Sequence, residues 1–413
     1  MTLITEGPDW FAQTRQAAQE RFVALGLPSD AQEIWRYSRI DDLDLDAYGV
    51  AEQPAPGGGV PPELADLLAV VAAGASGPLT VIVVRDGWPT LPDALPEGVT
   101  VSLPGSRRWP VVASAEDAFV ALNGARGAAP LHLEIGRAAS PAATIVVVHW
   151  AQRERVSSFP HLLVSLAPQS EARLVEIVAS PDIDALVVPV TELDLAAGSR
   201  LAYTNLQLLG PRAWQVGMQA SRVAADATLT SATVAFGGSY ARTRIDAAAV
   251  GQGATCRLLA VWFGAGNQMH DLRTVQAHEA PRTTSELVFK GVVANQSHSV
   301  YSGVIRVEKG ARGTNAMQTN RNLVLDEGAH ADSVPNLEIE DNDVHCSHAS
   351  AVGPIDDDQR FYLESRGVPT EVADRLIAQG FLDEVLERIP VPGLTGWLRG
   401  QVSAKLAEAD AQR

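Results

Sequence analysis

The sequence predicts a mainly β protein in which a central block of short strands lies between helical segments at the two ends of the chain. Between residues 131 and 352, short apolar or alternating runs recur between Gly, Ala, Ser and Asp residues. No stretch between these runs has a helical pattern long enough for a parallel crossover, so a doubly wound α/β sheet is disfavoured. The runs also recur at a nearly constant interval, which favours a solenoid.

The chain has 413 residues, which is enough for two or three domains. We divide it into an N-terminal helical and irregular domain over residues 1–105, a β core over residues 106–355 and a C-terminal helical domain over residues 356–413. In the first domain, a helix is predicted from Pro8 and Asp9 up to Gly26, and a second from Leu64 to Ala73. A short buried strand is predicted over Val81–Val84.

The β core is predicted from ten strand-like runs that are rich in branched and aromatic residues. These runs are Leu131–Ile135, Thr144–His149, Leu162–Leu166, Leu174–Val178, Leu201–Leu209, Leu229–Ala235, Leu258–Phe263, Leu287–Val293, Val300–Val307 and Leu323–Leu325.

A weak internal repeat runs through this block, because five strands begin with small or polar residues followed by a leucine. The leucines are Leu174, Leu201, Leu229, Leu258 and Leu287, at intervals of 27 to 29 residues. The repeat is typical of a β-helix, in which each strand stacks on the equivalent strand one turn on. An evenly spaced β-sandwich is the alternative, and periodicity alone does not separate the two.

After Pro354 the pattern becomes helical again. Asp356–Arg366 predicts one helix, which Gly367 ends. A second helix opens at Pro369 and Thr370 and is expected to carry an apolar stripe. The stripe is formed by Val372, Leu376, Ile377, Phe381, Val385 and Ile389. A last helix is predicted from about Leu394, with Trp397, Leu398, Val402 and Leu406 on one face.

Charge and cysteine usage narrow the function classes. Acidic residues outnumber basic ones by 49 to 32, giving a formal charge of −17, which disfavours a nucleic-acid partner. The two cysteines are expected to be free thiols in a reducing compartment. No apolar run is long enough to span a bilayer, and the N-terminus lacks the basic and apolar regions of a signal peptide, so we expect a cytoplasmic protein.

Sequence motifs for chemistry are mostly missing. The chain has no G-x-x-x-x-G-K-[ST] loop for ATP, no G-x-G-x-x-G after a strand, and no G-x-S-x-G, H-E-x-x-H or C-x-x-C. We therefore predict that the chain is not an enzyme.

One local constellation contains soft and borderline metal ligands. Residues 337–348 read LEIEDNDVHCSH and place His345, Cys346 and His348 close together. On a strand, Cys346 and His348 project from the same face and His345 from the other. Two ligands are too few for a closed site, so distant residues or a second chain must complete it. Alternatively, Cys346 is an apolar-like core residue and His348 an ordinary polar one.

Four other histidines lie near strand ends or charged segments. We expect His270, His278, His298 and His330 to be hydrogen-bonded surface residues rather than ligands.

Several segments resemble the SufB/SufD family of iron–sulfur cluster assembly scaffolds. They are GGSYARTRID at 237–246, HEAPRTTSELVFKGVV at 278–293, VYSGVIRVEKGA at 300–311, QTNRNLVLDEGAHADSVPNLEIEDNDVHCSHASAVG at 318–353 and FYLESRGV at 361–368, with EIWRYS at 33–38 and AFVALN at 118–123. Residues Gln318–Leu323 lack the cysteine of SufB-type chains, and Ser347-His348-Ala349 replaces their Glu-His-Glu. Both differences favour the SufD branch.

The resemblance implies a right-handed parallel β-helix core flanked by the two helical domains. It also implies a heterodimer with SufB through the β-helix and a SufC ATPase docked on the C-terminal helices at Phe361, Tyr362, Arg366 and Gly367. ATP hydrolysis is then expected in SufC.

A transient iron–sulfur cluster would be shared with SufB, with His348 as the best candidate ligand and Cys346 as the second. Family complexes are also associated with reduced flavin, and no motif of this chain locates one. Whether the isolated chain is a monomer, a homodimer or obligately heteromeric is left open.

Two other functions remain as alternatives. A secreted-type β-helix carbohydrate-active enzyme would use the carboxylates of Glu338–Asp343. A stand-alone metal-binding protein would use His345, Cys346 and His348.

Overall fold

The computed structural model describes residues 9–54, 58–75, 77–102, 112–113 and 117–412. Its centre is a β-solenoid of about eight turns, with helices at the N-terminal and C-terminal ends. The predicted mainly β class is therefore confirmed. The start of the first helix at Pro8 and the division between residues 105 and 106 lie outside the described residues.

Strands make up most of the described core. They are β1 Gly49–Val50, β2 Leu79–Arg85, β3 Trp88–Thr90, β4 Val99–Ser102, β5 Leu131–Ile135, β6 Thr144–Trp150, β7 Val156–Ser158, β8 His161–Leu166, β9 Glu171–Ala179, β10 Ala185–Val187, β11 Val190–Leu195, β12 Arg200–Leu208, β13 Trp214–Val223, β14 Thr228–Ala235, β15 Tyr240–Ala249, β16 Thr255–Gly264, β17 Met269–His278, β18 Thr284–Val293, β19 His298–Val307, β20 Thr314–Val324, β21 His330–Ile339 and β22 Val344–Gly353.

The helices flank this core on both sides. They are α1 Asp9–Leu25, α2 Ala65–Gly74, α3 Ala118–Arg126, α4 Asp357–Glu364, α5 Thr370–Leu386 and α6 Leu394–Ala411, with short 3-10 turns at Glu33–Trp35, Ile40–Asp42, Leu45–Ala47 and Pro62–Leu64.

Each turn of the solenoid contributes one strand to each of two parallel sheets. Sheet A runs β5-β8-β11-β13-β15-β17-β19-β21, and sheet B runs β6-β9-β12-β14-β16-β18-β20-β22. Alternate strands along the chain pair in parallel, which excludes the β-sandwich alternative. At the N-terminal end, β2 extends sheet B and β4 pairs antiparallel with β5.

The corners between the sheets are tight because several of their residues adopt the left-handed backbone region. Asp226, Arg282 and Asn295 have φ values of 55°, 55° and 57°, and Gly253 has φ of 75°. Short polar residues and glycine tolerate this region best, which explains the Gly, Asp and Asn spacing between the strands.

The repeat in the sequence corresponds to this stacking, although its leucines are not all in register. Leu201 pairs with Leu229, but Leu229 pairs with Cys256 one turn on. Leu258 pairs with Leu287, whereas Leu174 pairs with Tyr203. A shift of two residues keeps a side chain on the same face of the strand, so corners of different length are accommodated without exposing the core.

The N-terminal segment packs on the outer face of sheet A through a buried ion network. The Asp271 carboxylate is fully buried and lies 2.5 Å from both Arg242 Nη1 and Arg273 Nε. The same arginines donate hydrogen bonds to backbone carbonyl oxygens of the 33–36 segment, 2.7 Å to Ile34 and 2.6 Å to Arg36. Arg242 also stacks on the Trp35 ring at 3.7 Å. The EIWRYS segment is thereby held against the solenoid.

The C-terminal helices pack on the outer face of sheet B. Leu382 and Val385 of α5 and Leu398 and Val402 of α6 are buried in one cluster with residues of β14, β16 and β18. Lys290 of β18 donates hydrogen bonds to the Phe381 carbonyl at 2.8 Å and to Glu384 at 2.6 Å. These contacts anchor α5.

The predicted apolar stripe of α5 is only partly buried. Val385 and Ile389 join the core, but Val372 and Leu376 are exposed. The apolar residues of the first turns of α5 are therefore left on the surface.

Candidate functional site at the open end of the solenoid

The solenoid ends with β21 and β22, which are the last strands of the two sheets. Both expose most of their residues, whereas the strands of the preceding turns are largely buried. The terminal strands of parallel sheets present unpaired backbone groups, which favour pairing with another chain. Val334, Leu337, Ile339 and Val352 add exposed apolar side chains to this end.

The predicted ligands lie on β22. The 337–348 stretch is interrupted by a turn, in which the Asp343 amide donates to Asp341 Oδ1 at 3.0 Å. Within β22, Cys346 pairs with Ala316 of β20 and His348 pairs with Gln318. Because side chains alternate along a strand, Cys346 and His348 lie on one face, as predicted.

The Cys346 side chain is half-buried and packs against the apolar cluster of Ile305, Val307 and Ala316. Burial raises the pKa of the Cys346 thiol, and a hydrogen bond from the Ala316 backbone opposes this only in part. The thiol form is therefore favoured at neutral pH, and use of Cys346 as a ligand would require loss of its proton.

His348 is exposed, and so is His345 on the opposite face of the strand. Within the described residues, neither Cys346 nor His348 belongs to a group of three or more side chains close enough to hold one metal ion.

Below His348, the interior of the solenoid changes from apolar to polar. Gln318 is 1% exposed, and the hydroxyl of Tyr301 lies 3.0 Å from Thr274 Oγ1. Gly303 makes room for this layer, because a Cβ atom at that position would lie 2.2 Å from the Tyr301 hydroxyl oxygen and 2.6 Å from the Gln318 amide nitrogen. This layer was not predicted from the sequence, although the alternating polar residues of MQTNRN at 317–322 indicate it.

Hydrogen bonds tie the last strands together at the open end. Ser350 of β22 donates to Ser333 of β21, and Ser333 donates to Asn320 of β20, both at 2.7 Å. Asn322 also donates to Asn320 at 2.8 Å. The terminal turn is thus an ordered surface on which His348 is held by its strand.

Two acidic side chains of the 338–343 stretch, those of Glu338 and Asp341, have structural partners. Arg306 donates to Glu338 at 2.7 Å. Asp341 accepts hydrogen bonds from the backbone amides of Gly310 and Asp343, which hold its pKa below the usual range. Carboxylates engaged in this way give little support to the carbohydrate-active alternative.

The predicted surface positions of two histidines are wrong. His270 and His278 are buried inside the solenoid, and burial lowers their pKa values to about 3 and about 4. They occupy inward-facing positions of β17, a strand that was not predicted from the sequence. His298 and His330 lie nearer to solvent and both hydrogen-bond to Asp332.

The predicted docking residues lie on α4 and the turn that follows it. Phe361 is 70% exposed and Tyr362 is also exposed. The Arg366 guanidinium lies 4.5 Å from the centre of the Tyr362 ring, and Gly367 ends this unit with φ of 84°. A large exposed aromatic side chain beside an arginine is a composition that protein interfaces favour.

The fold and its open end define a parallel β-solenoid protein with a thiol and an imidazole on the last strand. Residues 149–381 match the family model for the SUF system FeS cluster assembly SufBD core domain. The chain therefore belongs to this SufBD family. Separately, no helix among the described residues is long and apolar enough to cross a membrane.

Individual relatives agree with this assignment. The chain is 28% identical to the iron–sulfur cluster assembly protein SufD of Escherichia coli over 97% of this chain and 94% of that protein. It is 35% identical to SufD of Bacillus subtilis over 36% of this chain and 32% of that protein. An iron–sulfur cluster assembly SufBD family protein of Mycobacterium tuberculosis is 37% identical over 45% of this chain, and the match covers 49% of that protein, which is about half of its length.

Proposed function

We propose that this chain is a non-catalytic scaffold subunit that pairs with a SufB protein and a SufC ATPase to build and transfer an iron–sulfur cluster. The observation that carries the proposal is the open end of the solenoid, where exposed strands and an exposed imidazole lie together in a SufD relative. The chain would act in a reducing, cytoplasmic compartment.

The cluster is the cargo of the complex, and its site would be shared between two chains. His348 would supply one ligand and face a SufB cysteine, with Cys346 as the second candidate. An edge-to-edge pairing of SufB with β21 and β22 supports this arrangement, because it would satisfy the backbone groups of both terminal strands. A reduced flavin is left to the assembled complex, and no residue of this chain is assigned to it.

SufC would dock on the exposed end of α4 and the first turns of α5. Phe361 and Tyr362 supply aromatic area, and Val372 and Leu376 extend the apolar surface. Closure of two SufC subunits on ATP would move the docked helices of both partners. Because α5 is anchored to β18 through Lys290, this motion would be transmitted to the turns that carry the site.

Co-purification tests this proposal. A tag on this chain, co-expressed with SufB and SufC of the same organism, is expected to recover all three proteins. Phe361→Ala combined with Tyr362→Ala should lose SufC and keep SufB, since the two surfaces are separate. Leu337→Asp on the exposed face of β21 should lose SufB and keep SufC. Recovery of neither partner by the unmodified chain would contradict the proposal.

A further inference from the structure

A group of three metal-ligating side chains lies on the outer face of sheet A, apart from Cys346 and His348. His298 begins β19 and His330 begins β21, and these strands are neighbours in the sheet. The two histidines are paired residues in the parallel register, and their ring centres lie 5.1 Å apart. Asp332 is two residues further along β21 and therefore on the same face.

The three side chains converge on one point. His298 Nε2 lies 2.7 Å from Asp332 Oδ2, and His330 Nε2 lies 3.3 Å from Asp332 Oδ1. One ligand atom from each residue lies within 4.8 Å of the other two. Among the described residues, no other group of three or more histidine, cysteine or acidic side chains has its ligand atoms this close together.

We propose that His298, His330 and Asp332 bind one divalent transition-metal ion of the Zn²⁺ or Fe²⁺ class. Two imidazoles and one carboxylate are a donor set that such ions prefer, whereas Mg²⁺ and Ca²⁺ prefer oxygen ligands. Three protein ligands leave further coordination positions for water or another ligand.

The geometry requires little rearrangement to accept the ion. Two donor atoms that each lie about 2.0–2.2 Å from one ion are at most about 4.4 Å apart, and the two nitrogen–oxygen distances of 2.7 Å and 3.3 Å already lie within that range. The His330 side chain is 67% exposed and can rotate inward, whereas His298 and Asp332 are 31% and 22% exposed and better held. The open side of the group therefore faces solvent, which gives an ion a path of entry.

The residues beside the group on the neighbouring strands are apolar. The residue paired with Asp332 on β19 is the buried Val300, and the residue paired with His298 on β17 is the buried Met269. Within the part of the chain that the structure describes, the ion pairs of Asp332 are those with the two histidines, with no lysine or arginine. The chain as a whole carries a formal charge of −17.

Ion binding would change the hydrogen bonding of the two rings. An ionised carboxylate can only accept hydrogen bonds, so each ring donates a hydrogen bond to it from a protonated Nε2. A metal ion needs the lone pair of that nitrogen, so each neutral ring would carry its proton on Nδ1 once the ion is bound. The carboxylate then passes from hydrogen-bond acceptor to ligand.

Cobalt binding to the purified full-length chain tests the proposal, because Co²⁺ reports its ligands by visible absorption. After chelator treatment, one Co²⁺ per chain is expected, with ligand-field bands and without the near-ultraviolet band of a cobalt–thiolate bond. Zn²⁺ should displace the cobalt. His298→Ala and Asp332→Asn should each weaken binding at least ~100-fold, since loss of an outer-shell partner alone costs about 10–100-fold.

Matched variants separate this site from the terminal strand. His345→Ala, which removes another exposed histidine of the last turn, and Cys346→Ser with His348→Ala should leave cobalt binding unchanged. His330→Ala alters a mostly exposed side chain and should fold normally, so it keeps the test valid if His298→Ala does not fold. The proposal would be overturned if His330→Ala and Asp332→Asn left the cobalt affinity unchanged. It would also be overturned if the variant with Cys346→Ser and His348→Ala lost cobalt binding. The test needs no partner and no cluster, so its result is independent of the proposed function.

Discussion

Replacing Asp271 with asparagine should strongly destabilise the contact between the N-terminal segment and the solenoid. The carboxylate is 0% exposed, and the side chains of Arg242 and Arg273 are only 3% and 9% exposed. The substitution leaves two guanidinium groups without a buried counter-charge. Breaking a buried ion pair in this way costs about 3–5 kcal/mol, which is a large share of the stability of a domain.

Two measurements report the Asp271→Asn change. Urea unfolding gives the loss in free energy of unfolding. Trypsin cleavage after Arg36 should become faster, because the Arg36 carbonyl loses its orienting hydrogen bond from Arg273. The matched control is Asp182→Asn, which removes an exposed partner of Arg212 and should have no measurable effect.

The effect should also depend on pH in a defined direction. Burial raises the pKa of Asp271, but Arg242 and Arg273 outweigh burial, so the pKa in the folded chain is lowered. The stabilisation is then present above the unfolded pKa of about 3.9 and is lost as the pH falls through the folded value. The difference between the unmodified chain and Asp271→Asn should therefore narrow in acid. A loss below about 1 kcal/mol at neutral pH, with unchanged trypsin cleavage, would refute the ion-network account.

Smaller changes test the terminal turns and the dock. Gly303→Ala should lower the free energy of unfolding, measured in urea, by about 1–3 kcal/mol, because the added methyl group overpacks the polar layer. The control is Gly353→Ala, whose added methyl group meets no atom within 4 Å, and equal unfolding midpoints for the two variants would contradict the described packing. In the native chain, iodoacetamide should react slowly with Cys346, at a rate that rises with pH, because burial raises the pKa of this thiol. It should not react with Cys256, whose pKa is raised to about 12 by burial. Reaction of both thiols in the native chain would contradict this prediction. Phe361→Ala should leave the unfolding midpoint unchanged, since the ring is 70% exposed, and a large shift would mean that it packs within the chain.

Strands with one apolar face were predicted well from the sequence. Leu131–Ile135 was predicted with the boundaries that the structure has, because its apolar residues and flanking breakers are local signals. Trp214–Val223 and Met269–His278 were missed, because polar residues such as Gln219 and Gln276 alternate with apolar ones on their inward faces. These residues find partners on neighbouring turns, and no local pattern reports such pairing.

The candidate site was also predicted in part. Alternation along a strand was enough to place Cys346 and His348 on one face. The polar layer of Gln318 and Tyr301 was not predicted, because its members come from different turns and meet only in the stacked solenoid. The group formed by His298 and Asp332 was missed for the same reason, since their proximity depends on the register between β19 and β21.

We propose above that the open end of the solenoid supplies a ligand to a cluster shared with SufB. The most direct measurement is the visible absorbance of the anaerobically reconstituted three-protein complex after addition of iron and sulfide, compared between His348→Ala and the matched His345→Ala variant. We expect loss of cluster absorbance in His348→Ala, with complex formation retained, and full absorbance in His345→Ala. Equal cluster yield in the two variants would contradict it.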